Sequence, residues 1–193
     1  MLQAALFLAG LAAPGGTPPP LEHLTILIVD FVPVAPDTLK NAISLSREIF
    51  LQARIETTWA LCRRKSGQWS GTWCHGAPAA VVHLSIVPHC LDKQGEERVY
   101  GRTITNETLG GLTIAIFYEP IEVASRTKFG MHPSVLLGMA MTHEIGHFFG
   151  LNHGVLGVMT SRFGREDVMR GAAGLMRFEG QEKALRRAIA RWK

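Results

Sequence analysis

The chain has 193 residues, 47% hydrophobic and 19% charged, with 20 Gly and 10 Pro, a balance that excludes a disordered or fibrous protein and gives one domain a sizeable core. The formal net charge is +4, and residues 161–193 hold nine Lys/Arg against four Asp/Glu. That basic stretch reads as a solvated helix face, and no basic run has the interleaved aromatics of a nucleic-acid binder, so no nucleic-acid partner is expected.

Residues 1–20, MLQAALFLAGLAAPGGTPPP, open with an apolar run from Leu2 to Ala13 that is too short to span a bilayer. Gly10, Ala12 and Ala13 suit a secretory cleavage site, and TPPP is a stiff connector. The expectation is a signal peptide and connector over 1–20, export to a secreted or periplasmic location, and no integral membrane segment after signal removal. A single domain then occupies 21–193, with an upper part to residue 150 and a lower part over 151–193.

LTILIVD (24–30) is a continuous β-branched apolar run, which predicts a buried strand. Ala42, Ile43, Ile49 and Phe50 recur at helical spacing and predict a helix from about Leu39 to Ala53. Ile55–Leu61 reads as a second strand, VVHLSIV (81–87) as a third, and GLTIAIFY (111–118) as the last buried strand, stopped by Pro120. Val99, Tyr100, Gly101, Arg102, Thr103 and Ile104 form a shorter, polar run that predicts an edge strand. A helix opens near Pro133 and reaches His147, and Leu185, Ala188, Ile189 and Trp192 mark a terminal amphipathic helix. The fold class is therefore α+β: a five-stranded mixed sheet with two helices on one face, then a small C-terminal part.

Cys62 and Cys74 flank RRKSGQWSGTW, a polar loop with RRK (63–65) read as exposed; in an oxidising compartment these two cysteines are the natural disulfide pair. Cys90 is left as a free or buried thiol. His75, His83, His89 and His132 are scattered and read as surface or packed residues rather than a second metal site.

Residues 143–153, HEIGHFFGLNH, carry the chemistry. His143 and His147 are four apart, so on a helix of ~3.6 residues per turn they share one face and can reach one ion at ~2.0–2.1 Å each. Glu144 is turned about 100° round the helix, where its carboxylate can stand over the open side of the ion as general base. On a continued helix His153 would face away, but Gly150 can end the helix in a left-handed conformation and return His153 to the metal. Single histidines on an apolar face are commonly satisfied core residues; three at this spacing, with Glu and Gly between them, point to a metal, and three imidazoles with an open position suit Zn2+.

This stretch matches the HExxHxxGxxH pattern and resembles the metzincin clan of zinc metalloproteases, most closely its small secreted bacterial members. The resemblance implies His143, His147 and His153 as ligands, Glu144 as base, Gly150 as turn residue and a twisted sheet above the site. It also implies a methionine turn beneath the metal, for which Met159 in GVMT is the candidate and Met169 the competitor. The edge strand at Val99–Ile104 would then pair with an extended peptide or protein substrate. No propeptide-sized segment precedes Leu24, so no zymogen control is expected, and no tyrosine follows Met159 where astacin-like members have one. The expected activity is that of a monomeric zinc metalloendopeptidase. The alternatives are a non-catalytic zinc-binding peptide-capture module, against which Glu144 argues, and a hydrolase of other apolar substrates.

Overall fold

A computed structural model describes residues 20–65, 68–71, 73–74, 76, 80–89, 99–106 and 111–192. Residues 1–19 of the expected signal peptide and connector (1–20), Cys90 and His75 lie outside them. Six strands form one mixed sheet: β1 (Glu22–Asp30), β2 (Ile55–Lys65), β3 (Gln68–Ser70), β4 (Val82–Val87), β5 (Gly101–Asn106) and β6 (Gly111–Phe117), in the order β3-β2-β1-β4-β6-β5. The inner strands β2, β1, β4 and β6 run parallel, with Ile26 opposite Trp59 and Val82, and Leu84 opposite Ile114. The edges β3 and β5 are antiparallel to their neighbours, and Thr103 sits opposite Ile114.

Five α-helices accompany the sheet among the described residues: α1 (Pro36–Gln52), α2 (Tyr118–Ala124), α3 (Pro133–Phe148), α4 (Arg165–Ala172) and α5 (Glu182–Trp192). The five strands read from the sequence are thus corrected to six, and the two helices plus a terminal helix to five, α2 and α4 being the additions. The added strand β3 is three residues of the cysteine-flanked loop, too short and polar for a period-2 signal. Pro120, read as a stop, lies in the first turn of α2, where an N–H has no helical partner to lose. A π turn, Ser125–Phe129, continues α2 and ends at Gly130.

The edge strand begins at Gly101, so Val99 and Tyr100 lead into it rather than belong to it. The Tyr100 carbonyl still accepts from the Phe117 amide at 2.9 Å. RRK is also corrected in part. Arg63 belongs to β2 and its Nε donates to the buried Asp30 carboxylate at 2.9 Å, with Nη2 on the Val34 carbonyl at 2.9 Å. Burial raises the Asp30 pKa, and the Arg63 charge opposes that rise.

Leu24, Ile26, Ile28, Leu84, Ile86, Ile114 and Ile116 point to the helix side of the sheet and are almost fully buried against α1 and α3. Among the described residues the other side carries a small cluster of Leu27, Cys62 and Val81, packed by Trp69 and Cys74. Cys62 and Cys74 are joined by a disulfide, Cα–Cα 5.4 Å, that closes the loop over this cluster.

Helix α3 is the central element: from Leu136 to Gly146 every residue is buried. A helix apolar on all sides must lie inside a core. Pro133 at its first turn and the His132 side chain, accepting from the Ser134 amide at 3.3 Å, begin it. At Gly138 an added Cβ would come within 2.7 Å of the Ala42 carbonyl, so α1 and α3 meet backbone to backbone there. Ser46 Oγ of α1 donates to the Gly138 carbonyl at 3.0 Å, and this contact fixes the depth of α3.

Candidate metal centre

His143, Glu144 and His147 are carried by the last turns of α3. The helix ends at Phe149, and Gly150 follows with φ +80°. The Gly150 amide donates to the His147 carbonyl at 2.9 Å and the Leu151 amide to the Gly146 carbonyl at 3.0 Å. These two bonds form a Schellman ending, which needs a left-handed residue at this position. Nothing lies within 4 Å of a Cβ added there, so the glycine answers a backbone demand rather than a packing one.

The reversal brings His153 back. His147 Nε2 lies 2.9 Å from His143 Nε2 and 3.1 Å from His153 Nε2. Behind the rings, His143 Nδ1 bonds the Val158 carbonyl at 2.7 Å and His147 Nδ1 the Leu151 carbonyl at 2.8 Å. A carbonyl only accepts, so each Nδ1 must carry the proton, which leaves each Nε2 with a lone pair. Two such lone pairs at 2.9 Å repel unless a cation lies between them. Tetrahedral ligation at ~2.0–2.1 Å would set neighbouring nitrogens about 3.3 Å apart, close to the spacing seen. The residues therefore fit a divalent ion of zinc's kind, and ligand orientation by backbone carbonyls is the usual outer support of such sites.

Burial pushes the His143 pKa down to about 4, which keeps the ring neutral and its lone pair available. His153, exposed to solvent, is shifted the same way, first by desolvation and then by the His147 charge.

Glu144 is 6% exposed. Burial pushes its carboxyl up to about 7, while the Thr103 hydroxyl, the Thr103 backbone amide and the Arg102 charge all oppose the rise. Thr103 Oγ1 lies 3.0 Å from Glu144 Oε2 and 2.9 Å from the Glu144 carbonyl, so its single proton can serve either. At Gly101 an added Cβ would come within 2.7 Å of Glu144 Cγ. Thr103 and Gly101 thus position the carboxyl, a role the sequence reading did not assign when it placed both in the substrate edge strand. A glycine inside a strand pattern signals a close approach and could have flagged Gly101. The Thr103 contact spans 41 residues and has no local signature.

Met159 is fully buried, and its Sδ is 2.5 Å from the position a Cβ on Gly146 would take. It lies directly under the metal-facing turn of α3. The competitor Met169 is 53% exposed on α4. The turn that holds Met159 is fixed by Gly154 N–H on the Met159 carbonyl at 2.8 Å and Val158 N–H on the Arg177 carbonyl at 2.8 Å. The other described histidines stand apart from the site: His23 faces Glu56 at 3.6 Å, His89 faces Glu119 at 3.4 Å, His132 caps α3, and His83 is exposed on β4.

In front of the three imidazoles lies a cleft of about 1230 Å³. Its walls are β5 from Gly101 to Thr103, the α2–π-turn segment from Pro120 to Lys128, and the loop Thr160–Phe163. Strand β5 is the sheet edge among the described residues, and its Gly101–Thr103 segment lines this cleft.

No family model and no curated protein matches the chain. Among solved structures the fold is similar to the crystal structure of archaemetzincin from Methanopyrus kandleri, with a TM-score of 0.56 and 16% sequence identity, covering 87% of this chain and 96% of that one.

Proposed function

We propose that this protein is a zinc-dependent peptidase that cleaves extended peptides laid along β5. The observation that carries the reading is the convergence of the His143, His147 and His153 Nε2 atoms, with two Nδ1 atoms tied back to carbonyls, beside the buried Glu144 carboxyl. The metzincin-like motif and a fold similar to a protein named archaemetzincin support it.

A cation held by the three histidines would supply Lewis-acid polarisation of the scissile carbonyl and acidify the attacking water. The protein's own part is the proton. Glu144 takes it from the water, holds it in a pocket whose burial favours the neutral carboxyl, and returns it to the leaving amine. Thr103 and Gly101 keep that carboxyl on the cleft side of α3. Main-chain groups of β5 bind the substrate backbone and orient it across the histidines. The protein would act as a monomer on peptide or protein substrates. The Cys62–Cys74 disulfide supports a secreted or periplasmic location. Among the described residues, no helix is long and apolar enough to cross a membrane.

The test is Glu144→Ala. The variant keeps one zinc per chain by elemental analysis and loses hydrolysis of denatured casein and of a peptide library. Undiminished hydrolysis by the variant contradicts the proposed chemistry. Zinc bound by the unmutated protein with no turnover of any peptide leaves the peptide-capture reading.

A further inference from the structure

The charges around the cleft are not evenly signed. Among the described residues Arg102, Lys128 and Arg162 line it, and Glu144 is the one carboxylate. The three cations come from three different walls: β5, the π turn after α2, and the loop beyond Met159.

One contact shows that these charges include one held at the cleft wall. Lys128 Nζ reaches across to the Phe163 carbonyl at 3.4 Å, next in sequence to Arg162, and lies 4.6 Å from the centre of the Phe129 ring. The ammonium is thereby held where the π-turn wall meets the Thr160–Phe163 wall, and two of its three protons remain for a ligand. Arg162 has no ion-pair partner among the described residues, and the acids nearest in sequence on α2 are turned to other groups: Glu122 to Arg126 at 3.8 Å and Glu119 to His89 at 3.4 Å. On the α2 side the lining includes the apolar Pro120, Val123 and Ala124. A site of this kind suits an aliphatic stem that ends in an anion.

We infer that the cleft selects peptides bearing an acidic side chain beside the scissile bond, through the apolar Pro120, Val123 and Ala124 and the charges of Arg102, Lys128 and Arg162. This rests on the peptidase reading for its substrate class, but the selection itself is a binding property. It follows from charge complementarity in a concave site. A divalent ion at the histidines adds field of the same sign.

The experiment compares three matched peptides that differ only in Glu, Gln or Lys beside the cleavable bond. Hydrolysis is followed with the zinc-loaded protein, and competitive binding with the zinc-loaded Glu144→Gln variant. The Glu peptide should lead the Gln peptide by about tenfold in both assays, the scale of one well-placed charge contact, with the Lys peptide weakest, and added salt should erode the lead. The double variant Lys128→Glu/Arg162→Glu, changed at two exposed positions, should bring the Lys peptide to the front. Equal binding of the three peptides, or an acidic preference that survives the double reversal, overturns the inference. An acidic preference in binding without hydrolysis by the unmutated protein removes the peptidase reading and leaves the anion selection standing.

Discussion

The two halves of the candidate metal centre are built differently. His143 and His147 belong to a buried helix, their Nδ1 atoms are fixed by carbonyls at 2.7 and 2.8 Å, and Met159 fills the space beneath them. His153 is exposed on a loop that depends on a left-handed glycine for its direction. The helix half exists because the core exists, and its orientation comes free with folding. The loop backbone is held by the buried Leu151, the Gln181 amide on the Asn152 carbonyl at 3.2 Å and the Gly154 amide on the Met159 carbonyl at 2.8 Å, whereas the His153 ring has no carbonyl behind it among the described residues. On the proposed reading, folding orients two ligands and metal binding would fix the third ring, so metal and the order of that ring should be coupled.

Substitutions can break that contrast or sharpen it. The largest effect is expected at the ligands. His143→Ala and His153→Ala should each weaken zinc binding by more than the ~10–100-fold typical of an outer-shell partner. Only the first should also lower the melting temperature of the metal-free protein, because it empties a buried position, whereas an exposed change stays within about 0.5 kcal/mol. Equal apo stability losses at both positions would erase the distinction between the halves.

Met159→Ala comes next. It removes the floor under α3 and should cost about 2–5 kcal/mol of apo stability by denaturant unfolding, with weaker zinc binding as a consequence. Gly150→Ala is smaller in stability, about 1–2 kcal/mol for a left-handed non-glycine residue. Its signature should be zinc loss out of proportion to that cost, since the strain falls on the segment that returns His153. Calorimetry with and without zinc separates the two effects. The mildest change is Thr103→Val. It keeps strand propensity, zinc content and fold, and should lower kcat about tenfold, or ~1.4 kcal/mol, by releasing Glu144 from its hydroxyl partner. An unchanged kcat would make Thr103 structural only.

The contrast also explains what could be read from the sequence. The buried half announces itself: the apolar surroundings of HEIGH and the long β-branched runs are patterns of burial, and burial is what periodicity records. The edge strand was placed to within two residues because polar alternation marks a strand with one wet side. Strand β3 and helix α4 escaped for the opposite reason. Gln68–Ser70 forms a strand only because β2 offers it a partner, and Arg165–Ala172 buries only Val168 and Gly171, too few apolar positions to set a period. Gly150 was legible, since a helix that must end and turn has few residues to choose from. Thr103 and Gly101 were not assigned to Glu144, because contacts between a distant strand and a helix face are made by tertiary packing and leave no spacing in the chain.

The claim on which the rest depends is that one cation is shared by three imidazoles through their Nε2 atoms. Anomalous diffraction at the zinc edge from crystals of the zinc-loaded protein tests it directly. The account predicts a single peak within ~2.0–2.1 Å of Nε2 of His143, His147 and His153, with both helix histidines still bonded through Nδ1 to the Val158 and Leu151 carbonyls. A zinc ion bound by only two of these rings, or held elsewhere on the chain, would contradict it.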